Sequence, residues 1–402
     1  MLMDTCLTAL RTQVLAELEN DILPFWMDRM PDRVHGGFLG TVDGMGQPVS
    51  GAPKGAILNA RILWTFAAAA RVTGRPEYID TARIALQEIL DRFRDPDFGG
   101  IYWSLDEAGR PLDTKKQFYA IAFAIYGLSE YHRATGDAQS LQAAIRLFRD
   151  IEEHSFDPEK NGYIEACTRE WGEIADMRLS EKDANERKTM NTHLHILEAY
   201  TALYRVWKNP FLARQLRNLI LLFAERITDP GTGHLLLFFD DDWNSRDDMV
   251  SYGHDIEASW LLMEAAEVLG DPSVTGQVAP VAIRLAEAAG EGFSPEEGMI
   301  YEHVPATGHT DGDRHWWVQA ETVVGYFNLY EMTGDKTALD KAEACWAFIR
   351  EHIIDREYGE WIWSLRANGT PNRTDDKAGF WKCPYHNGRM CLELAERIAR
   401  HS

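Results

Sequence analysis

Two short phrases alternate along the chain and between them decide what it can fold into. The first, RVTGRPEYIDTA at 71, RATGDAQSLQAA at 133, EVLGDPSVTGQV at 267 and EMTGDKTALDKA at 331, reads as a helix end, a glycine turn and a new helix start. The second, DPDFGGIYW at 95, DPEKNGYIE at 157, DPGTGHLLL at 229, SPEEGMIYE at 294 and DREYGEWIW at 355, reads as a turn followed by a short β-prone run. The period is about 65 residues. One unit is therefore helix, tight turn, helix, then a longer loop carrying a short strand.

Hydrophobic periodicity predicts helices over 4–29, 55–73, 76–93, 115–135, 138–154, 189–207, 210–227, 252–269, 273–290, 315–333, 336–353 and 385–400. These make six hairpins with a circular shift. Six hairpins of this length favour a closed ring of inner and outer helices, an all-α (α/α)6 barrel, over an open solenoid. No Pro/Ser-rich linker or charge run divides the chain, so residues 1–402 are expected to form a single catalytic domain.

The helices before each glycine turn are apolar around much of their circumference, as in HLHILEAYTALYRVW with Ile196, Leu197, Tyr200, Leu203 and Trp207, and are assigned to the inner ring. Those after it, such as SLQAAIRLFRDIEEH, carry a charged stripe and are assigned to the outer ring. The starts of the inner helices and the loops before them then converge at one end of the barrel. The unusual polar residues fall at that end: Arg61, Tyr119, Asn191, His195, His254, Glu257, Trp316, Trp317, Glu321 and His386.

Each has a plainer reading beside it. In KTMNTHLHIL, His193 and His195 are two apart, about 200° around a helix, so both cannot face one small ligand. A shared metal site is set aside on that ground; His195, a turn in from Asn191, is taken as the cavity residue and His193 as a hydrogen-bonded structural one. GHDIEASW sets His254 and Glu257 at i and i+3, so the carboxylate can orient the ring, or the pair can simply brace the barrel. The two indoles of RHWWVQAE point about 100° apart, one into the cavity and one outward. WKCPYHNGR presents His386 at a helix start, as a site residue or only a cap. Arg61 in NARILWTF and Tyr119 in QFYAIAF are polar heads on apolar helices that core partners alone would also explain. The charged loop 165–187 suits a lid over the site or a merely solvated loop.

Histidine, with an ordinary pKa of about 6.5, serves as base in one state and acid in the next. Inverting a carbon beside an aldehyde needs that reversibility: one group removes a proton from one face to give an enediol, and another returns a proton to the opposite face. A third histidine, with Arg61 or Tyr119, would help open a sugar ring and hold the oxygen at C1. Thirteen tryptophans, with aromatics at 11% of the chain, supply flat faces for sugar stacking. The competing class is a glycoside hydrolase, which needs two carboxylic acids flanking the bond; Glu257 and Glu321 are the candidates, and three cavity histidines would be surplus to it. A non-catalytic sugar-binding protein is the third class. No phosphate loop, dinucleotide fingerprint, GxSxG elbow or HExxH occurs.

The segments NTHLHILEAYT, SYGHDIEASWLLMEAAEVLG, WWVQAETVVGYFN and WKCPYHNGRMCLE resemble the signature segments of the cellobiose 2-epimerases, a branch of the N-acylglucosamine 2-epimerase superfamily. The resemblance spans the chain. It implies an (α/α)6 barrel and reversible, cofactor-independent C2 epimerisation at the reducing-end glucose of β-1,4-linked disaccharides, cellobiose to glucosyl-mannose and lactose to epilactose. Relatives acting on mannobiose, or interconverting aldoses and ketoses, share much of that chemistry. Carried over to matching positions, it makes His254 and His386 the acid/base pair, ties His195 to ring opening, and makes Arg61, Tyr119, Asn191, Glu257, Trp317 and Trp381 substrate contacts, with Trp317 and Trp381 stacking on the two sugar rings. Asp183 reaches the non-reducing sugar from the lid loop; Glu321, one turn beyond Trp317, is taken as a substrate contact on its position rather than from the resemblance. No metal is implied.

Composition narrows the partners. The net charge of −22 is spread along the chain, which argues against nucleic acid and against an anionic membrane surface. Five cysteines without CxxC spacing fit a reducing compartment. The N-terminus has neither a basic n-region nor a continuous apolar run. A cytoplasmic enzyme whose partner is a small disaccharide is expected, a monomer rather than a dimer.

Overall fold

The first phrase is explained by backbone chemistry. Gly74, Gly136, Gly270 and Gly334 follow helix ends with φ of 72°, 75°, 75° and 72°, and each returns its N–H to a carbonyl of the last turn. That left-handed cap is open to glycine at little steric cost. The aspartates that follow start the next helix: Asp137, Asp271 and Asp335 accept from the backbone N–H of Ser140, Ser273 and Thr337. Where the glycine is missing, after Val206, Asn209 caps the next helix through Phe211 and Leu212.

The computed structural model describes residues 2–401. Twelve helical segments result among them, odd-numbered outside and even-numbered inside. The first, α1, spans Leu2–Glu17 and runs on through Leu18–Ile22 and Leu23–Asp28. The others are α2 Ala56–Thr73, α3 Glu77–Gln87, α4 Phe118–Thr135, α5 Ala138–His154, α6 Met190–Val206, α7 Pro210–Leu222, α8 Tyr252–Leu269, α9 Pro272–Ala289, α10 Trp316–Thr333, α11 Lys336–Phe348 and α12 His386–Arg400. The even helices pack each on the next, and α12 returns to α2, so the inner ring is closed. Each outer helix packs on its inner neighbour, and α1 covers α12, which is the circular shift. The architecture is an (α/α)6 barrel. Helix α2 is buried on every side from Ala56 to Ala69, whereas α5 exposes a charged stripe, which is the division between inner and outer helices.

Strands of two or three residues lock the converging end. The residues just before α2, α4, α6, α8 and α10 pair antiparallel with the loop of the following unit: Lys54 with Leu105, Lys116 with Cys167, Lys188 with Phe239, Val250 with His303 and Arg314 with Leu365. Buried lysines add a second clip. Lys54, Lys116, Lys188 and Lys377 reach Asp32, Asp95, Asp157 and Asp355 at 2.8, 2.9, 3.0 and 2.6 Å. Each of these aspartates also caps its own turn, accepting from the N–H two residues on. Asp32, in PDRVHGGF, belongs to a sixth copy of the second phrase, which escaped the sequence reading. No helix of the described residues is long and apolar enough to cross a membrane.

Candidate active site

Helix α6 opens with Thr189 accepting from the Thr192 N–H, which sets the rotation of both histidines that follow. His193 turns away from the ring centre. Its Nδ1 lies 2.6 Å from the Thr189 carbonyl and its Nε2 accepts from the Tyr163 N–H at 2.9 Å, so both nitrogens are used. Burial pushes its pKa down to about 4. His193 is a structural residue.

His195, His254 and His386 differ from it in one shared respect. Each gives Nδ1 to a protein partner and leaves Nε2 without one among the described residues. His195 Nδ1 meets Glu198 at 3.0 Å, His254 Nδ1 meets the Ser251 hydroxyl at 2.8 Å, and His386 Nδ1 meets Glu321 at 2.7 Å. The indole of Trp317 lies against both His254 and His386, with ring centres 4.8 and 5.5 Å apart. Burial, and after it the neighbouring His195, push the pKa of His254 down to about 3. Burial, then Arg61 and Arg389, hold His386 well below the usual histidine range. Both are neutral imidazoles near pH 7, able to take a proton.

Two expectations about carboxylates are corrected. Glu257 does not orient His254; its Oε1 is turned to Arg389 at 2.6 Å, and a serine does the orienting. Glu321 is not left free for substrate: it takes His386 Nδ1, Arg389 Nη2 at 2.6 Å and the Trp260 indole N–H at 3.0 Å, so it aligns a histidine instead. Glu257, Glu321 and His386 bring ligand atoms within 4.8 Å of one another, close enough to suggest a metal. The guanidinium bonded to both carboxylates already supplies the cation there.

Arg389 and Glu198 were missed in the sequence reading. Arg389 is fully buried one turn after His386 and joins Glu198, Glu257 and Glu321, carried by three different inner helices. Burial alone would push Glu198 up, but Arg389, His195 and Tyr385 hold its pKa down to about 2. Burial and the charge of Glu321 raise Glu257 to about 7 against the pull of Arg389. The signal was present: HxxE occurs in α6 as in α8.

The rest of the bowl is built from α2, α4 and the loop before α12. Arg61 lies over the rings of Phe123 and Tyr385, at 4.1 and 4.5 Å, and donates to the Tyr119 hydroxyl at 2.9 Å and the Trp381 carbonyl at 3.3 Å. Its Nε and the Asn191 Oδ1 are buried and have no partner among the described residues, which leaves a donor and an acceptor for a bound hydroxyl. Trp381 stands edge-on to Tyr119, ring centres 6.1 Å apart. Trp316 points away from the bowl and packs on Trp363.

The loop 165–187 is tied down over this end. Buried Gln117 donates to the carbonyls of Met177 and Arg178, both at 2.9 Å. Trp171 adopts a left-handed φ of 66°, which costs a non-glycine residue about 1–2 kcal/mol. Its indole stacks 4.2 Å from His154 and donates to the Phe98 carbonyl at 2.8 Å. Below the loop is a cleft of about 140 Å³ lined by Asp183, Asn191, His254, Tyr301, Glu165 and Glu302 among others. Asp183 thereby lines the same cleft as His254 and Asn191.

Glu165 is buried in that cleft with no ion pair among the described residues, held by the hydroxyls of Thr189 and Thr192 at 2.8 and 2.7 Å. Burial raises its pKa to about 8 despite those bonds. Unfolded, it titrates near 4.3, so between about pH 4.3 and 8 the folded chain holds a proton that the unfolded chain releases. Stability therefore falls as pH rises through that window, by at most ~1.4 kcal/mol per unit. Glu165→Gln is expected to raise the melting temperature at pH 8.5 and leave it nearly unchanged at pH 4.5; a gain independent of pH would contradict this.

With this geometry established, comparison with known proteins gives consistent results. A profile of the N-acylglucosamine 2-epimerase (GlcNAc 2-epimerase) family matches residues 37–388. The cellobiose 2-epimerase of Bacteroides fragilis is 63% identical over 385 residues, 96% of this chain and 98% of that protein. The cellobiose 2-epimerase of Ruminococcus albus is 40% identical over 387 residues, 96% and 98% of the two chains. The solved structure of cellobiose 2-epimerase from Bacillus thermoamylovorans superposes with a TM-score of 0.92 at 41% identity, covering 97% of this chain and all of that one.

Proposed function

The chain belongs to the N-acylglucosamine 2-epimerase family and is a sugar epimerase; from that premise we propose that it inverts C2 of the reducing-end glucose of β-1,4-linked disaccharides, converting cellobiose to glucosyl-mannose and lactose to epilactose. The observation that carries this reading is the set of three histidines, His195 and His386 buried and His254 half-buried, each with Nδ1 held and Nε2 without a partner among the described residues, two of them against one indole.

In this reading His195 assists opening of the sugar ring. One of His254 and His386 then removes the C2 proton of the open-chain aldehyde, giving a cis-enediol. The other returns a proton to the opposite face of C2, and the reverse reaction exchanges their roles. Negative charge builds on the oxygen at C1 in between, and Arg61 with Tyr119 stands ready to stabilise it. Trp317 and Trp381 stack on the two sugar rings. Asn191, Asp183 and the second oxygen of Glu257 bind hydroxyls, and no cofactor is called for. A hydrolase would need two free carboxylic acids, whereas Glu257, Glu321 and Glu198 are all bonded to Arg389. The five cysteines are unpaired and four are buried, in keeping with a reducing, cytoplasmic setting. The chain is proposed to act as a single domain and as a monomer.

The test is incubation with cellobiose in heavy water, following C2 by NMR. Glucosyl-mannose carrying deuterium at C2 is expected. Neither product nor exchange would sink the reading, and free glucose would point to hydrolysis instead.

A further inference from the structure

We infer that Glu198 is a positioning residue that fixes His195 as the Nδ1–H tautomer, with Arg389 and Tyr385 dictating which way the hydrogen bonds run. The inference rests on the role given to His195 above and adds the residues that set its chemistry.

The direction of every bond follows from one group that can only donate. A guanidinium has five N–H donors and no acceptor. Arg389 Nη1 donates to the Tyr385 hydroxyl and to Glu198 Oε1. Tyr385 therefore accepts a hydrogen bond at its oxygen and must donate its own O–H to Glu198 Oε1. That oxygen faces two donors and is a pure acceptor. The other oxygen, Oε2, meets His195 Nδ1 at 3.0 Å. Glu198 is 1% exposed, the site is packed by the rings of Trp260 and Tyr385 at 4.7 and 4.1 Å from the guanidinium, and Arg389 keeps the carboxylate ionised. An ionised carboxylate has no proton to give, so His195 Nδ1 is the donor. With the Nδ1 proton fixed in this way, the lone pair of the uncharged form of the ring lies on Nε2, the nitrogen without a partner among the described residues.

The same guanidinium reaches His386 through Glu321, while His254 leans on a serine hydroxyl that can donate or accept. Two of the three histidines are thus set by Arg389 and the third is free to choose its tautomer. A resting His195 of this form takes a proton at Nε2 before it can give one. Its first act on a sugar is as a base.

Glu198→Gln provides the test because it keeps the shape and reverses one bond. The glutamine carbonyl is drawn to the two donors, Arg389 and Tyr385, which leaves the amide NH₂ facing His195 Nδ1. The ring must then accept at Nδ1 and carry its proton on Nε2. Ring-¹⁵N-histidine labelling, with the His195 signals assigned by their loss in His195→Gln, reads the tautomer directly without any sugar. Expected are Nδ1–H in the unmodified enzyme and Nε2–H in Glu198→Gln, with kcat on cellobiose down at least about 100-fold and KM within about threefold. Nε2–H in the unmodified enzyme overturns the inference, as does a Glu198→Gln variant with an unchanged tautomer or with kcat within threefold of the parent. The first of these is read on the parent, so a variant that fails to fold does not shield the inference. If the unmodified enzyme exchanges no C2 proton, the functional reading fails while the tautomer result stands on its own.

Discussion

Alanine in place of His386 or His254 is expected to lower kcat on cellobiose by about 100-fold or more, at least ~2.7 kcal/mol of transition-state stabilisation. Neither ring is a main support of its partner's place in the fold. Glu321 keeps Arg389 and Trp260 when His386 is lost; the Ser251 hydroxyl loses its hydrogen bond when His254 is lost, but the serine stays paired in its strand. The barrel should therefore survive either change, and the loss should fall on kcat rather than KM, because the indoles and Arg61 still bind the sugar. The sharper expectation concerns exchange. With two faces served by two bases, each variant retains one of them. One variant should still wash deuterium into C2 of cellobiose, and the other into C2 of glucosyl-mannose, while neither interconverts the two sugars. If either variant turns over within a few fold of the parent, the two-base scheme is wrong. If neither variant exchanges any proton, the two histidines act as a unit rather than on separate faces.

How far the sequence reached depends on the distance over which each feature is decided. The glycine caps at Gly74, Gly136, Gly270 and Gly334 are decided within four residues, and the helix boundaries read from them agree with the structure to within one or two positions. The split of His193 from His195 followed from helical geometry alone, and the structure uses both nitrogens of one ring and only one of the other. Glu257 was misjudged because its choice is not local. HxxE occurs in α6 and in α8, and within either helix the carboxylate can turn back to its own histidine. In α6 it does; in α8 it turns to Arg389, 132 residues away in sequence. Glu321 likewise meets His386 across 65 residues. The buried lysines were invisible for a related reason. Lysine ordinarily reads as surface, and only the fold brings Lys54, Lys116, Lys188 and Lys377 against aspartates some twenty to thirty residues away.

Arg389→Met is expected to destabilise the barrel by about 3–5 kcal/mol, the effect of leaving buried charges without their partner. Three carboxylates lose one cation together: Glu198, Glu257 and Glu321, none more than 1% exposed. Glu257 is already raised to about 7 with the arginine present, so in its absence all three move upward and hold protons in the folded state. The sign of the pH dependence follows. A carboxyl whose folded pKa lies above its unfolded value near 4.3 stabilises the fold at low pH and ceases to do so as pH rises through the folded value. The deficit of the variant should therefore be smallest near pH 5 and grow toward pH 8, measured by urea unfolding at both. Lysine at the same position restores a charge but not the fork that grips three carboxylates from one point, so Arg389→Lys should recover only part of the loss. A methionine variant as stable as the parent at pH 8 would mean that the three carboxylates are already neutral there, and that Arg389 orders them by hydrogen bonding alone.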